Sequence, residues 1–193
     1  SLRRSDIAIS NGEMDEIVFT MLQQLEHYQK RAIEKDPVHG KLKQRLVSGL
    51  RQVLKFVKAS RAKLVIIAVD TEESKILEEK EDAVLIEAQQ RNIPVLYCMN
   101  RRRLAKAINS SFRQSAVAVC DADGAHSDLK KILEFIEKFS QEAIPLFKMM
   151  DNHKLDPVSR QNSSLEGSDY TLISLILSNE ITPILHGEEF SKN

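Results

Sequence analysis

No apolar run among the 193 residues approaches the roughly 20 that a membrane-spanning helix requires. Nor does the beginning of the sequence combine a basic start, an apolar centre and a small-residue cleavage site, so no secretory signal is expected. The expected setting is intracellular, cytoplasmic or nuclear, with no membrane contact. Only two cysteines occur, Cys98 and Cys120, each inside an apolar run rather than at metal-ligand spacing, which suits reduced, buried thiols. There is no phosphate-cradling glycine loop, no His-Glu-x-x-His and no spaced Cys/His set. Asp121, Asp123 and His126 gather where a turn meets a helix start, a place that collects such residues without chemistry. The chain therefore reads as a non-enzyme with no metal and no cofactor.

Net charge is absent too, because 28 Lys and Arg balance 28 Asp and Glu, which argues against indiscriminate adhesion to nucleic acid. Locally the balance breaks. No acidic residue lies between Asp36 and Asp70, whereas Lys41, Lys43, Arg45, Arg51, Lys55, Lys58, Arg61 and Lys63 all do. Arg101, Arg102, Arg103 and Lys106 form a second cluster, and acids gather from Glu72 to Asp82 and toward the C-terminus. The folded molecule should present a positive face.

Residues 1–12 lack periodicity and read as a flexible lead. From Glu13, apolar residues Met14, Ile17, Val18, Met21, Leu22, Leu25 and Tyr28 recur at helical spacing, predicting an amphipathic helix over 13–36 that Pro37 must end. A second helical region is expected from about Lys41 to Lys58, with Leu42, Leu46, Leu50, Val53, Leu54 and Val57 as its buried stripe. Gly49 splits it, and Ser48 caps the second piece. Strands are expected at 63–69, 93–99 and 115–120, and helices at about 80–90, 101–108 (capped by Asn100) and 127–149. This alternation predicts a three-layer α/β/α sandwich around a mixed, mostly parallel sheet, with the main domain over 37–150. Residues 151–193 lose the alternation and read as a mostly flexible tail with one sticky segment, Tyr170–Leu177.

The most informative segment is Arg45-Leu-Val-Ser-Gly-Leu-Arg-Gln-Val-Leu-Lys55. Arg51, Gln52 and Lys55 share the helix face opposite the apolar stripe, and Gly49 removes a side chain just before them. Long donors beside a bare backbone at a helix start suit phosphate binding and base-edge hydrogen bonding; an ordinary solvated face has the same pattern.

This segment resembles the Gly-x-Asn-Glu-x-x-Lys signature of kink-turn-binding ribosomal proteins of the L-seven-Ae family. It is more similar still to the family's selenocysteine-insertion-sequence (SECIS)-binding members, in which Gly-Leu-Arg-Glu-Val-Leu-Lys is typical. Gly49, Leu50, Arg51, Val53, Leu54 and Lys55 match that form; Gln52 departs from it. The likeness continues through residues 28–37, Asn92-Ile-Pro94, Asn100-Arg-Arg-Arg-Leu104 and Asp123-Gly-Ala125, covering about residues 20–148.

The resemblance implies an RNA-binding α/β/α domain whose Gly49-led helix enters the groove at tandem sheared G·A pairs of a SECIS element in a messenger 3′ untranslated region. Arg51, Gln52 and Lys55 would read bases and phosphates there, with Arg45 and Ser48 adjoining. Arg101, Arg102 and Lys106 would meet phosphates. The loop 109–115 would close over an extruded base using Phe112 and Arg113 in place of the family's small apolar residues; an aromatic in a loop can equally be a local packing residue. Ala105 replaces the usual glycine, which would limit how closely RNA approaches. The implied partners are SECIS RNA, a selenocysteine-specific elongation factor and the ribosome. Alternatives are a ribosomal or box C/D kink-turn binder and a protein-interaction module with weakened RNA affinity.

Overall fold

A computed structural model of the chain describes residues 7–70 and 74–153, with side chains as far as Glu142. Five short strands, β1 (Ile7–Ile9), β2 (Leu46–Ser48), β3 (Leu64–Ile67), β4 (Val95–Tyr97) and β5 (Ala116–Val119), pair in the order β1-β4-β3-β5-β2. The helices are α1 (Gly12–Lys35), α2 (Pro37–Leu42), α3 (Leu50–Lys58), α4 (Lys75–Gln90), α5 (Arg101–Ala107) and α6 (His126–His153). β1 and β3 lie parallel to β4, while β5 is antiparallel to both β3 and β2. Four of the five strands thus point one way, and the sheet is mixed as expected.

Every β3 residue is buried because both sheet faces are covered. Leu64 and Ile66, with Leu96, Val117 and Val119, share one core with Met21, Leu22 and Leu25 of α1, Leu104 of α5 and Ile132 of α6. By the alternation of a strand, Val65 and Ile67 face the other way, where α3 and α4 pack against each other. This is the three-layer sandwich that the sequence predicts.

The largest correction concerns residues 37–58. Asp36 ends α1, and its carboxylate accepts from Val38 N and His39 N to cap α2. The proline that stops one helix therefore occupies the favourable first turn of the next. Leu46–Ser48 then pairs with β5 (Leu46↔Val119, Ser48↔Val117) and is a strand, with two donors at its start, Arg45 N and Leu46 N, satisfied by Gln29 Oε1 at 2.7 and 2.9 Å. Ser48 makes no capping bond, and Gly49 itself is the N-cap. Leu42 is 66% exposed and no part of the buried stripe, in which the buried Phe56 takes a place instead.

The expected lead is also shorter. Ile7–Ile9 is an edge strand, and Asn11 caps α1 by accepting from Met14 N at 2.8 Å. α4 starts at Lys75, five residues earlier than expected. The tail beyond His153, including Tyr170–Leu177, lies outside the described residues. Among the described residues no helix is long and apolar enough to cross a membrane.

Both thiols are free. Cys98 is buried and donates to Asp15 Oδ1 at 3.1 Å, and burial, reinforced by that bond, pushes its pKa well up. Burial raises Cys120 to about 11, so neither thiol is a ready thiolate.

Candidate nucleic-acid interface

The C-terminal ends of β2, β3 and β4 and the N-terminal end of β5 meet at one end of the sheet, and the candidate contacts are distributed around it. Ligand sites of open α/β sheets form in this kind of place, where strands hand over to loops and helix starts. At the exit from β2, Gly49 takes φ +85°, a conformation that L side chains rarely adopt. Its N–H donates to Ala116 O at 2.9 Å, while the space where a Cβ would stand is open to 4 Å. The glycine therefore turns the chain sharply and leaves bare backbone at the start of α3.

From that start α3 buries Leu50, Val53, Phe56 and Val57 and exposes Arg51, Gln52 and Lys55. None of these three has an ion pair or a hydrogen bond to another side chain among the described residues. Two cations and an amide held on a helix without side-chain partners among the described residues are available to a ligand. The Gly49–Ala116 bond places them beside the loop 109–115, which runs directly into β5.

That loop is braced from within. Asn109 enters it at φ +52°, and Ser110 Oγ donates to Phe112 O at 3.0 Å while accepting from Phe112 N and Gln114 Nε2. Gln114 N donates to Arg101 O, and Asp70, leaving β3, accepts from Arg101 N. The chain of bonds from Asp70 through Arg101 to Gln114 ties three sheet-end connections together. It presents Phe112 to solvent at 80% exposure, so Phe112 is no local packing residue. Arg113 beside it is exposed as well.

α5 approaches the same sheet end from the opposite face. Asn100 Oδ1 accepts from Arg103 N at 2.8 Å, the predicted cap. Arg102 and Lys106 are exposed on adjacent turns and have no ion pair among the described residues. Arg101 is different, because its side chain is 15% exposed and its Nε lies 3.7 Å from Asp70, making it a brace. Arg103, outside the candidate set, pairs with Glu16 and lies over the Phe19 ring, fastening α5 to α1. Ala105 is buried, so its methyl group points into the fold and does not obstruct the surface as the comparison with glycine implied.

Arg45 stands apart from this group. It precedes β2 and is separated from Gly49 by roughly 13 Å of strand. Its guanidinium lies 3.7 Å from Asp121 and 3.8 Å from Asp123, donates to Asp123 O, and sits over the Tyr28 ring. Those two acids, read from the sequence as residues that a turn collects without chemistry, hold an arginine. Ser48 is half-buried at the end of β2. The roles of Asp70 and Gln114 in bracing Arg101 were invisible in sequence, since no local pattern marks their bonds to the distant Arg101 backbone.

Comparison with known proteins accords with this fold. Over 125 residues the chain is 34% identical to selenocysteine insertion sequence-binding protein 2 of Rattus norvegicus, an overlap of 63% of this chain but 15% of that protein. It is 35% identical over 129 residues to the human selenocysteine insertion sequence-binding protein 2-like, covering 65% of this chain and 12% of the relative. Large ribosomal subunit protein eL8 of Methanobrevibacter smithii is 24% identical over 97 residues, 50% of this chain and 76% of that one. In fold, the Giardia lamblia 15.5kD RNA binding protein superposes with a TM-score of 0.53 at 17% identity, covering 70% of this chain and 98% of that chain. Residues 31–129, an interval that holds every candidate contact residue, match the ribosomal protein L7Ae/L30e/S12e/Gadd45 family, and the chain belongs to it.

Proposed function

We propose that this chain binds a kinked RNA of the SECIS type and by doing so supports selenocysteine incorporation at UGA codons. The observation that carries the reading is the set Arg51, Gln52 and Lys55, without partners among the described residues, set behind the bare backbone of Gly49 and beside a braced loop that displays Phe112. The SECIS specificity rests on the names of the relatives at 34–35% identity and on Arg51, which stands where the ribosomal signature has asparagine. A selenocysteine-specific elongation factor and the ribosome are the partners this role requires, with the cytoplasm its place of work and the nucleus a second location. The RNA-binding domain is assigned to residues 37–150, supported by α1. A second reading, binding of a ribosomal or box C/D kink-turn, is favoured by the similarity to eL8 and to the Giardia RNA-binding fold.

Titration with a SECIS element, a box C/D kink-turn and a SECIS element lacking its G·A pairs, each at several salt concentrations, separates these readings. The SECIS element should bind tightest and the mutant element weakest. Equal affinity for all three would reduce the interaction to charge alone.

Two substitutions probe the contacts. Gln52 offers one acceptor where relatives place a carboxylate, and hydrogen bonds to charged groups are worth about 1 kcal/mol more than neutral ones. Gln52→Glu should therefore tighten SECIS binding by about fivefold, and a weaker titration would mean that no guanine is read there. Phe112→Ala removes an exposed ring whose stacking on a base is worth about 1–3 kcal/mol, so affinity should fall by at least about fivefold. Thermal stability should stay put, because the ring supports nothing in the core.

A further inference from the structure

We infer that Lys58, Arg61 and Lys63 form a second phosphate-contact patch at the far end of α3, which takes the backbone of duplex RNA continuing beyond the kinked element. The inference rests on the RNA-binding reading above and extends its footprint. Arg51, Lys55 and Lys58 are spaced i, i+4 and i+7, so they lie along one helix face, and Lys58 sits roughly 10 Å along the axis from Arg51. All three are exposed. The stripe continues past the helix end. Ser60 turns the chain at φ +54°, and Arg61 N donates to Phe56 O at 2.9 Å, which brings the Arg61 guanidinium over the Phe56 ring at 4.5 Å. Stacking of this kind holds the guanidinium plane and leaves its N–H edges outward, the arrangement that suits a phosphate. Lys63 is fixed at the entrance to β3 by its N–H bond to Val119 O at 2.7 Å.

No carboxylate lies within ion-pair distance of Lys58, Arg61 or Lys63 among the described residues. Asp121 and Asp123 hold Arg45, and Glu87 holds Arg91, whose Nε donates to Lys58 O at 3.1 Å. A helix C-terminus favours cations, which accounts for Lys58 but not for Arg61 or Lys63, since both lie beyond the helix. The chemistry also selects the form of RNA. Phe56 is buried and capped by Arg61, so the patch has no free aromatic platform of the sort that single strands stack on. Cations without base-reading groups fit the backbone of a duplex.

The test uses the full chain and two RNAs with the same kinked centre, one with short stems and one with a stem extended by about ten base pairs. Lys58→Gln/Arg61→Gln/Lys63→Gln should lose about tenfold in affinity for the long RNA, with a salt slope shallower by about two to three, and nothing on the short one. Lys58→Gln/Lys63→Gln, which spares the Arg61–Phe56 stack, should lose about threefold on the long RNA alone. The Arg51→Ala/Lys55→Ala variant should weaken both RNAs, which keeps the two surfaces distinguishable. Equal losses on long and short RNA would overturn the inference. So would no loss on either, the result expected if an acidic protein segment were the true occupant. Should the unaltered chain bind neither RNA, the functional reading fails and the second patch fails with it.

Discussion

Replacing Arg51 and Lys55 together by alanine should lower affinity for the SECIS element by about 30- to 700-fold while leaving the protein folded. A base-edge or phosphate contact by a long cationic side chain is worth about 1–2 kcal/mol, and each 1.4 kcal/mol is tenfold. Both side chains are exposed, off the buried face of α3, and have no internal partner among the described residues, so stability should move by no more than about 0.5 kcal/mol. The singles divide the effect by mechanism. Lys55→Ala should weaken all RNAs alike and flatten the salt dependence by about one, as a phosphate contact does, whereas Arg51→Ala should also relax discrimination against the element lacking G·A pairs. Filter binding or fluorescence anisotropy on native and mutant elements reads both. A double variant that binds as the parent chain does would remove α3 from the interface.

The fold was legible where one signal dominated. Lys63–Val69 is apolar and β-branched and sits between helical patterns, so a strand buried on both faces was the only economical reading, and β3 lies within it. Residues 37–58 defeated the same method because two signals overlapped. The spacing of Leu46, Leu50, Val53 and Val57 is helical, yet Leu46–Ser48 reaches an open edge of the sheet, and pairing with β5 outweighs a periodicity carried on by α3 alone. Of the candidate site, the residues that need only a helix face and a bare turn were readable, namely Gly49, Arg51, Gln52 and Lys55. Arg45 and Arg101 were chosen for charge, and the structure gives each an acid from a distant part of the chain. Charge in a sequence shows how many cations exist; only tertiary pairing decides which remain available. That distinction leaves Arg51, Lys55, Arg102 and Lys106 as the contacts to test, and Arg45 and Arg101 as supports.

Supports of a purely steric kind predict the largest loss of stability, at Gly40. It is buried in α2 where that helix crosses α1, and a Cβ there would stand 2.7 Å from the Ala32 carbonyl carbon and oxygen and from Ile33 Cα. All three are backbone atoms, so no side chain can rotate away, and α2 must lift off α1. Alanine is favoured over glycine in a helix by about 1 kcal/mol, which offsets part of the penalty. Overpacking against fixed backbone costs about 1–3 kcal/mol and more where nothing can yield, so Gly40→Ala should destabilise by a net of about 2 kcal/mol, or about 4–8 °C in Tm. Gly12→Ala is the matched control: Gly12 opens α1, is exposed, and has nothing within 4 Å of its missing Cβ, so that variant should melt at or slightly above the parent temperature. Urea denaturation followed by circular dichroism compares the two. Because α2 lies before β2, away from the Gly49 end of that strand, the folded fraction of Gly40→Ala should bind RNA with parental affinity. Equal stabilities for the two variants would mean that the α1–α2 contact is looser than its backbone spacing implies.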